Sequence, residues 1–185
     1  IACEMSDYQF EVYEKIRKDE ADKEKNSRRR KKVGNAEDLY QVASSYRIFS
    51  RTCCNFAFPK PPGRPMIGKS TDNEDDDIDE DALDTYEDVE YKEKIQRALS
   101  YLRDHATDFL LPQYLEIYSP KFCEILDNVK NSEHIGLHLI YSQFRTLEGI
   151  GIFKLILDAN GFSQFRISKA GSSYELHEEN DYSKP

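Results

Sequence analysis

The sequence predicts an α/β fold in which a mostly helical segment leads into a lobe built on a parallel sheet. Two observations carry this expectation. Residues 136–162 read as a short buried strand, a polar turn, an amphipathic helix and a glycine stop, and the apolar run at 137–141 is short enough for a strand covered on both faces. Upstream, start and stop signals for helices recur along the chain. In α/β proteins the turn leaving the carboxyl end of a strand is where ligands are handled. Here that turn is Ser142-Gln143-Phe144-Arg145-Thr146, with hydrogen-bonding side chains and a cation around one aromatic ring.

Taken in order, Ser6-Asp7-Tyr8-Gln9 fits a capping box, with Ser6 as N-cap and Gln9 three residues on. Phe10, Tyr13 and Ile16, flanked by Val12, continue a helical stripe to about residue 22, after which charge predicts a solvated, mobile loop. A second helix is expected at 45–58, stopped by Pro59-Lys60-Pro61-Pro62. Proline, glycine and then an acidic run predict a disordered insertion at 59–84. Helices follow near 87–103 and 106–117, the latter distorted at Pro112. Ser119-Pro120 opens another, with an N-cap serine and proline at the first turn; Phe122, Ile125, Leu126 and Val129 form its buried face. After the polar turn, a helix carries Leu147, Ile150, Leu155 and Leu157 towards the core and ends at Gly161. Residues 162–169 and 174–176 read as strands around Gly171-Ser172-Ser173. The resulting division is 1–58, helical; 59–84, insertion; and 85–185, a helical lead-in followed by the start of the α/β lobe.

The formal net charge of −9 is concentrated: residues 72–90 hold twelve acids and no Lys or Arg, and without them 26 bases face 23 acids. The rest of the chain is mildly basic, with Arg28-Arg29-Arg30-Lys31-Lys32 as its densest run, so nucleic acid is not excluded as a partner. Cys3, Cys53, Cys54 and Cys123 lack C-x-x-C spacing and read as reduced thiols of an intracellular, reducing compartment. The four histidines, His105, His134, His138 and His177, show no metal-ligand spacing. Neither a membrane span nor a signal peptide is evident. A start at Ile1 and an end at Pro185 without a closing element predict an excised fragment.

From Gly63 to Ser70 the chain matches G-x-x-x-x-G-K-[ST]. That motif holds phosphate because a buried strand delivers the loop and a helix N-terminus receives the anion. Here prolines precede it and carboxylates follow it, so the match is rejected as a nucleotide site. The acidic run also fails as a calcium loop: counted from Asp75, the sixth position is Glu80, where glycine is needed, and the twelfth is Tyr86.

The turn Tyr141-Ser142-Gln143-Phe144-Arg145-Thr146, closed by Asn160-Gly161-Phe162, resembles motif IV of superfamily 2 helicases, most closely the Swi/Snf-type branch. Tyr118-Ser119-Pro120-Lys121-Phe122 and the stretch 136–161 are similar to the helicases and nucleoside triphosphatases of large DNA viruses of the poxvirus and giant-virus kind. Met5-Ser6-Asp7-Tyr8-Gln9 with Val12-Tyr13 resembles the exit of their first lobe. Ser45-Tyr46-Arg47-Ile48-Phe49-Ser50-Arg51 and Cys54-Asn55-Phe56 resemble their inter-lobe region. The resemblance implies a partial RecA-like lobe of the P-loop NTPase type, preceded by inter-lobe helices, in an ATP-dependent helicase or translocase located in a viral factory or virion. It implies ATP and Mg2+ as cofactors of the full-length protein. The phosphate loop and magnesium motif would lie upstream and the arginine finger downstream, so the fragment alone binds neither cofactor and is not expected to hydrolyse ATP.

By the same resemblance Ser142, Gln143, Arg145 and Thr146 contact a DNA or RNA backbone or the missing first lobe. The chemistry agrees, because hydroxyls, an amide and a guanidinium hold phosphate without reading sequence. The plainer alternative is that Ser142 and Thr146 cap the following helix and Arg145 pairs with Glu148. Phe144 is expected to pack beneath the turn. Arg47 and Arg51 either grip phosphate or form structural salt bridges. Two other readings stay open: a non-catalytic module docking transcription or polymerase machinery, and a degenerate α/β domain without activity.

Overall fold

A computed structural model describes residues 2–30, 47–66, 89–165, 167–171 and 173–176. The described residues form seven helices and one hairpin: α1 (Asp7–Arg30), α2 (Ile48–Cys53), α3 (Val89–Asp104), α4 (Ala106–Phe109), α5 (Pro112–Tyr118), α6 (Pro120–Lys130), α7 (Ile150–Ala159), β1 (Ile167–Ala170) and β2 (Ser173–Leu176). The strands pair antiparallel, Ile167 opposite Leu176, around Gly171 at φ 64°. Helix and strand therefore coexist, but among the described residues no parallel sheet is formed.

The helix signals act where they are local. Ser6 Oγ accepts from the Gln9 amide at 3.0 Å, capping α1. The expected return arm of the capping box is absent, because the Gln9 side chain donates to Cys53 O at 2.8 Å and so fastens α1 to α2. α1 also runs on to Arg30 rather than dissolving near residue 22, and the Lys25–Asp22 pair, three residues apart, lies along this extension. Pro112 does not distort one helix but separates two, sitting in the first turn of α5 after the short α4. Ser119 caps α6 by accepting from Phe122 N at 3.1 Å. α7 ends at Gly161 (φ 88°), whose left-handed conformation lets Phe162 N donate to Leu157 O at 3.0 Å.

Tyr91, Ile95, Ala98 and Leu102 form one face of α3 and pack with Phe122, Leu126, Ile152, Phe153 and Ile156 in a single buried cluster. The Phe122 and Phe153 rings meet at 5.2 Å and join α6 to α7. Leu147 and Leu155 are buried as expected, whereas Ile150 is 39 % exposed. α7 begins only at Ile150, because Gly149 N turns back to Leu147 O at 2.7 Å. Ile150 therefore points out of the first turn. α2 is shorter than the 45–58 helix expected: it starts after Arg47, held left-handed at φ 58°, and closes at Cys54. Residues 59–66, inside the segment expected to be disordered, are ordered against the fold: Pro59 and Pro65 are buried and Arg64 pairs with Glu148. The remainder of that insertion lies outside the described residues, as do Lys31, Lys32, His177 and the acidic run through Asp88.

The expected strand at 137–141 is not formed. The segment is free of helix and of strand pairing, and Ile135, Leu137, Leu139 and Tyr141 are all at least 89 % exposed. A strand exists only where a second backbone supplies partners for its N–H and C=O groups, and none of the described residues does so here.

Candidate functional site

Ser142-Gln143-Phe144 forms one wall of a cleft of about 360 Å³. The end of α2 supplies Arg51, Cys54 and Asn55, the start of α6 supplies Lys121, Phe122 and Ile125, and Gly149, Ile150 and Phe153 close it from α7. Each wall has a local cause. Asn55 sits in the turn after α2, where its carbonyl accepts from Ser119 Oγ, so the α6 cap also fixes the α2 end. Lys121 Nζ donates to Asn55 Oδ1 at 2.9 Å. Arg51 Nη2 donates to Gln143 Oε1 at 2.6 Å and its guanidinium lies 5.8 Å from the centre of the Phe144 ring.

Backbone groups and the Ser142 hydroxyl also hold the corner. Phe144 N donates to Ser142 Oγ at 3.2 Å, Ile150 N to Phe144 O at 3.1 Å, and Gly151 N to Arg145 O at 2.8 Å. Two glycines make this approach possible. A Cβ on Gly149 would lie 1.8 Å from Phe144 O, and one on Gly151 would lie 1.6 Å from Thr146 O. Neither glycine was singled out from the sequence, although Gly-Ile-Gly directly after a polar turn is the signal that such packing leaves.

Ser142 and Gln143 face the cleft, while Arg145 and Thr146 are exposed and do not line it. Ser142 does not cap the following helix; its hydroxyl closes the turn at Phe144. The alternative partner for Arg145, Glu148, is 2 % exposed and engaged by Arg64. Phe144 is half-buried beneath Arg51. Arg47, just before α2, and Arg51 within it divide their roles: Arg47 Nε lies 3.6 Å from Glu24, a bridge to α1, whereas Arg51 reaches the cleft.

Cys54 reaches the cleft half-buried, its Sγ 3.1 Å from Ser50 O, and burial raises its pKa. Cys53 and Cys123 are buried, and burial pushes their thiols up to about 12 and about 11; Cys3 is exposed. Of the phosphate-loop match, the four residues from Gly63 to Met66 are described. Gly63 N is taken by Pro59 O at 2.8 Å and the Arg64 side chain points inward to Glu148, so this part of the loop does not fit a nucleotide phosphate. Among the described residues no three His, Cys, Asp or Glu side chains converge on a metal position, and no helix is long and apolar enough to cross a membrane. No protein-family model matches the chain, and comparisons with curated proteins and with solved structures find no match.

Proposed function

We propose that the chain is part of an ATP-driven nucleic-acid helicase or translocase, a partial RecA-like lobe in which the corner at Ser142 and Gln143 grips the sugar-phosphate backbone. The observation that carries this reading is the bond from Arg51 to Gln143 across a cleft that Ser142 also lines. A guanidinium, an amide and a hydroxyl on one concave surface suit phosphate oxygens of any sequence. Ile135, Leu137, Leu139 and Tyr141, apolar at alternate positions, suit one face of a strand of the proposed parallel sheet once neighbouring strands are supplied. ATP and Mg2+ belong to the full-length protein in this reading.

In the complete protein, Gln143→Ala combined with Arg145→Ala is expected to weaken nucleic-acid-stimulated ATP hydrolysis while leaving the fold intact. Unchanged stimulation with unchanged strand affinity would remove the contact role of the turn. The second reading, a docking module for transcription or polymerase machinery, is favoured by the exposed row Ile135, Leu137, Leu139 and Tyr141. A surface of that kind is what a partner strand covers.

A further inference from the structure

We infer that Lys121 and Asn55 form, with Arg51, a second phosphate-holding wall of the same cleft, so that a strand is gripped from α6 and α2 as well as from the corner. This rests on the nucleic-acid reading of the corner and extends it to Lys121 and Asn55, to which neither the sequence motifs nor the resemblance gave a role.

Charge distribution is the first reason. The chain carries 35 acids and a net charge of −9, yet among the described residues the cleft is lined by Arg51 and Lys121 and by no Asp or Glu. A concave surface with one sign of charge and apolar walls concentrates the field and attracts a counter-charged ligand. The second reason is position. Lys121 lies in the first turn of α6, where the helix dipole is already positive and a lysine is unfavourable for the helix itself. Its partner there is the neutral Asn55 side chain rather than a carboxylate, a contact that positions the ammonium at the cleft without a counter-charge of its own. Asn55 is in turn fixed through its own carbonyl by the fully buried Ser119 hydroxyl. The wall is therefore preorganised, and an anion there costs little reordering. Third, Arg51 is shared: it bonds the corner and stands on the same helix end as Asn55 and Cys54. The apolar side chains of Ile125, Ile140 and Phe153 between the polar walls suit the sugar faces of a strand better than a bare, fully hydrated phosphate.

The test titrates the 185-residue chain into fluorescein-labelled dT20 and U20 over a series of NaCl concentrations, following anisotropy. Lys121→Gln is expected to weaken binding several-fold and to flatten the dependence of log K on log salt by about 0.7, the loss of one single-strand phosphate contact. Lys121→Arg should restore both. In parallel, alkylation of the cleft thiol Cys54 should slow when the strand is bound while that of exposed Cys3 does not. Silent Cys53 and Cys123 report that each variant is still folded. Wild-type affinity and salt slope in Lys121→Gln, with binding still lost in Gln143→Ala, would overturn this inference and leave the corner reading standing. No binding and no Cys54 protection in the wild-type chain would overturn both. Inorganic pyrophosphate that protects Cys54 as tightly as the strand does would overturn the strand assignment in favour of a small polyanion.

Discussion

Arg64 and Glu148 form a buried ion pair that ties the proline-rich segment after α2 to the turn beneath the Ser142–Gln143 corner. Their side chains are 13 % and 3 % exposed, and the fork of Arg64 addresses both carboxylate oxygens through Nε and Nη2. Burial alone would lower the guanidinium pKa, but the Glu148 carboxylate and Tyr91 reverse that and leave it raised. The guanidinium also lies 4.9 Å from the Phe49 ring centre. Arg64 thus joins α2, α3 and the start of α7 at one point.

Breaking this pair from one side should be costly. Arg64→Met or Glu148→Leu is expected to lower the unfolding free energy by about 3–5 kcal/mol, because each leaves the other group buried without its counter-charge. The double variant Arg64→Met/Glu148→Leu should cost far less than the two single losses together. Urea denaturation of the four proteins closes the cycle; a double variant as unstable as the sum would assign the effect to packing instead.

Gly151→Ala should destabilise, although alanine normally favours a helix interior over glycine by about 1 kcal/mol. The new methyl would meet the Thr146 carbonyl, a backbone atom that cannot turn aside. A loss of about 1–3 kcal/mol in urea unfolding is expected, together with weaker oligonucleotide binding, since the corner hangs on the first turn of α7. A stabilised Gly151→Ala protein would show that the corner and α7 are less closely packed than described.

Stability should fall in alkali. The Cys53 thiol ordinarily titrates at 9.0 and in the folded chain is pushed up to about 12, chiefly by burial. Between those values the unfolded chain has released a proton that the folded chain retains, so raising the pH favours unfolding. The contribution is complete below pH 9 and is lost as pH rises towards 12. Comparing urea midpoints at pH 8 and pH 10.5, wild type should lose on the order of 1–2 kcal/mol more than Cys53→Ala. Equal losses would assign the alkaline effect to other groups.

Leu137→Ser with Leu139→Ser should leave unfolding stability within about 0.5 kcal/mol of wild type, since these side chains, 106 % and 98 % exposed, have no packing to lose. Ile152→Ala, at the centre of the core, should cost about 2–5 kcal/mol by the same measurement. A large loss in the serine variant would show that the 137–141 segment is covered within the chain itself.

What could be read from sequence was what is decided within a few residues. The Ser119 cap, the Gly161 stop and a pair of strands around Gly171 depend on local hydrogen bonds and dihedral angles and were legible, although the first strand is shorter than the 162–169 expected and Pro112 separates two helices rather than distorting one. The segment at 137–141 was not, because a strand's existence depends on a partner backbone that a local apolar pattern does not specify. The candidate site was half legible. Ser142 and Gln143 announce themselves as polar residues after an apolar run. Lys121 and Asn55 lie 66 positions apart and Arg51 and Gln143 lie 92 apart, and nothing in their neighbourhoods indicates that they converge. Glu148 was matched to nearby Arg145, whereas its partner Arg64 lies 84 residues earlier.

Amide resonances of the chain recorded with and without a single-stranded oligonucleotide decide whether this cleft holds a nucleic-acid backbone. The expected result is a set of salt-sensitive shifts confined to Arg51–Asn55, Lys121–Phe122 and residues 140–151. Shifts confined to residues 135–139 and the hairpin, with the cleft unmoved, would contradict it.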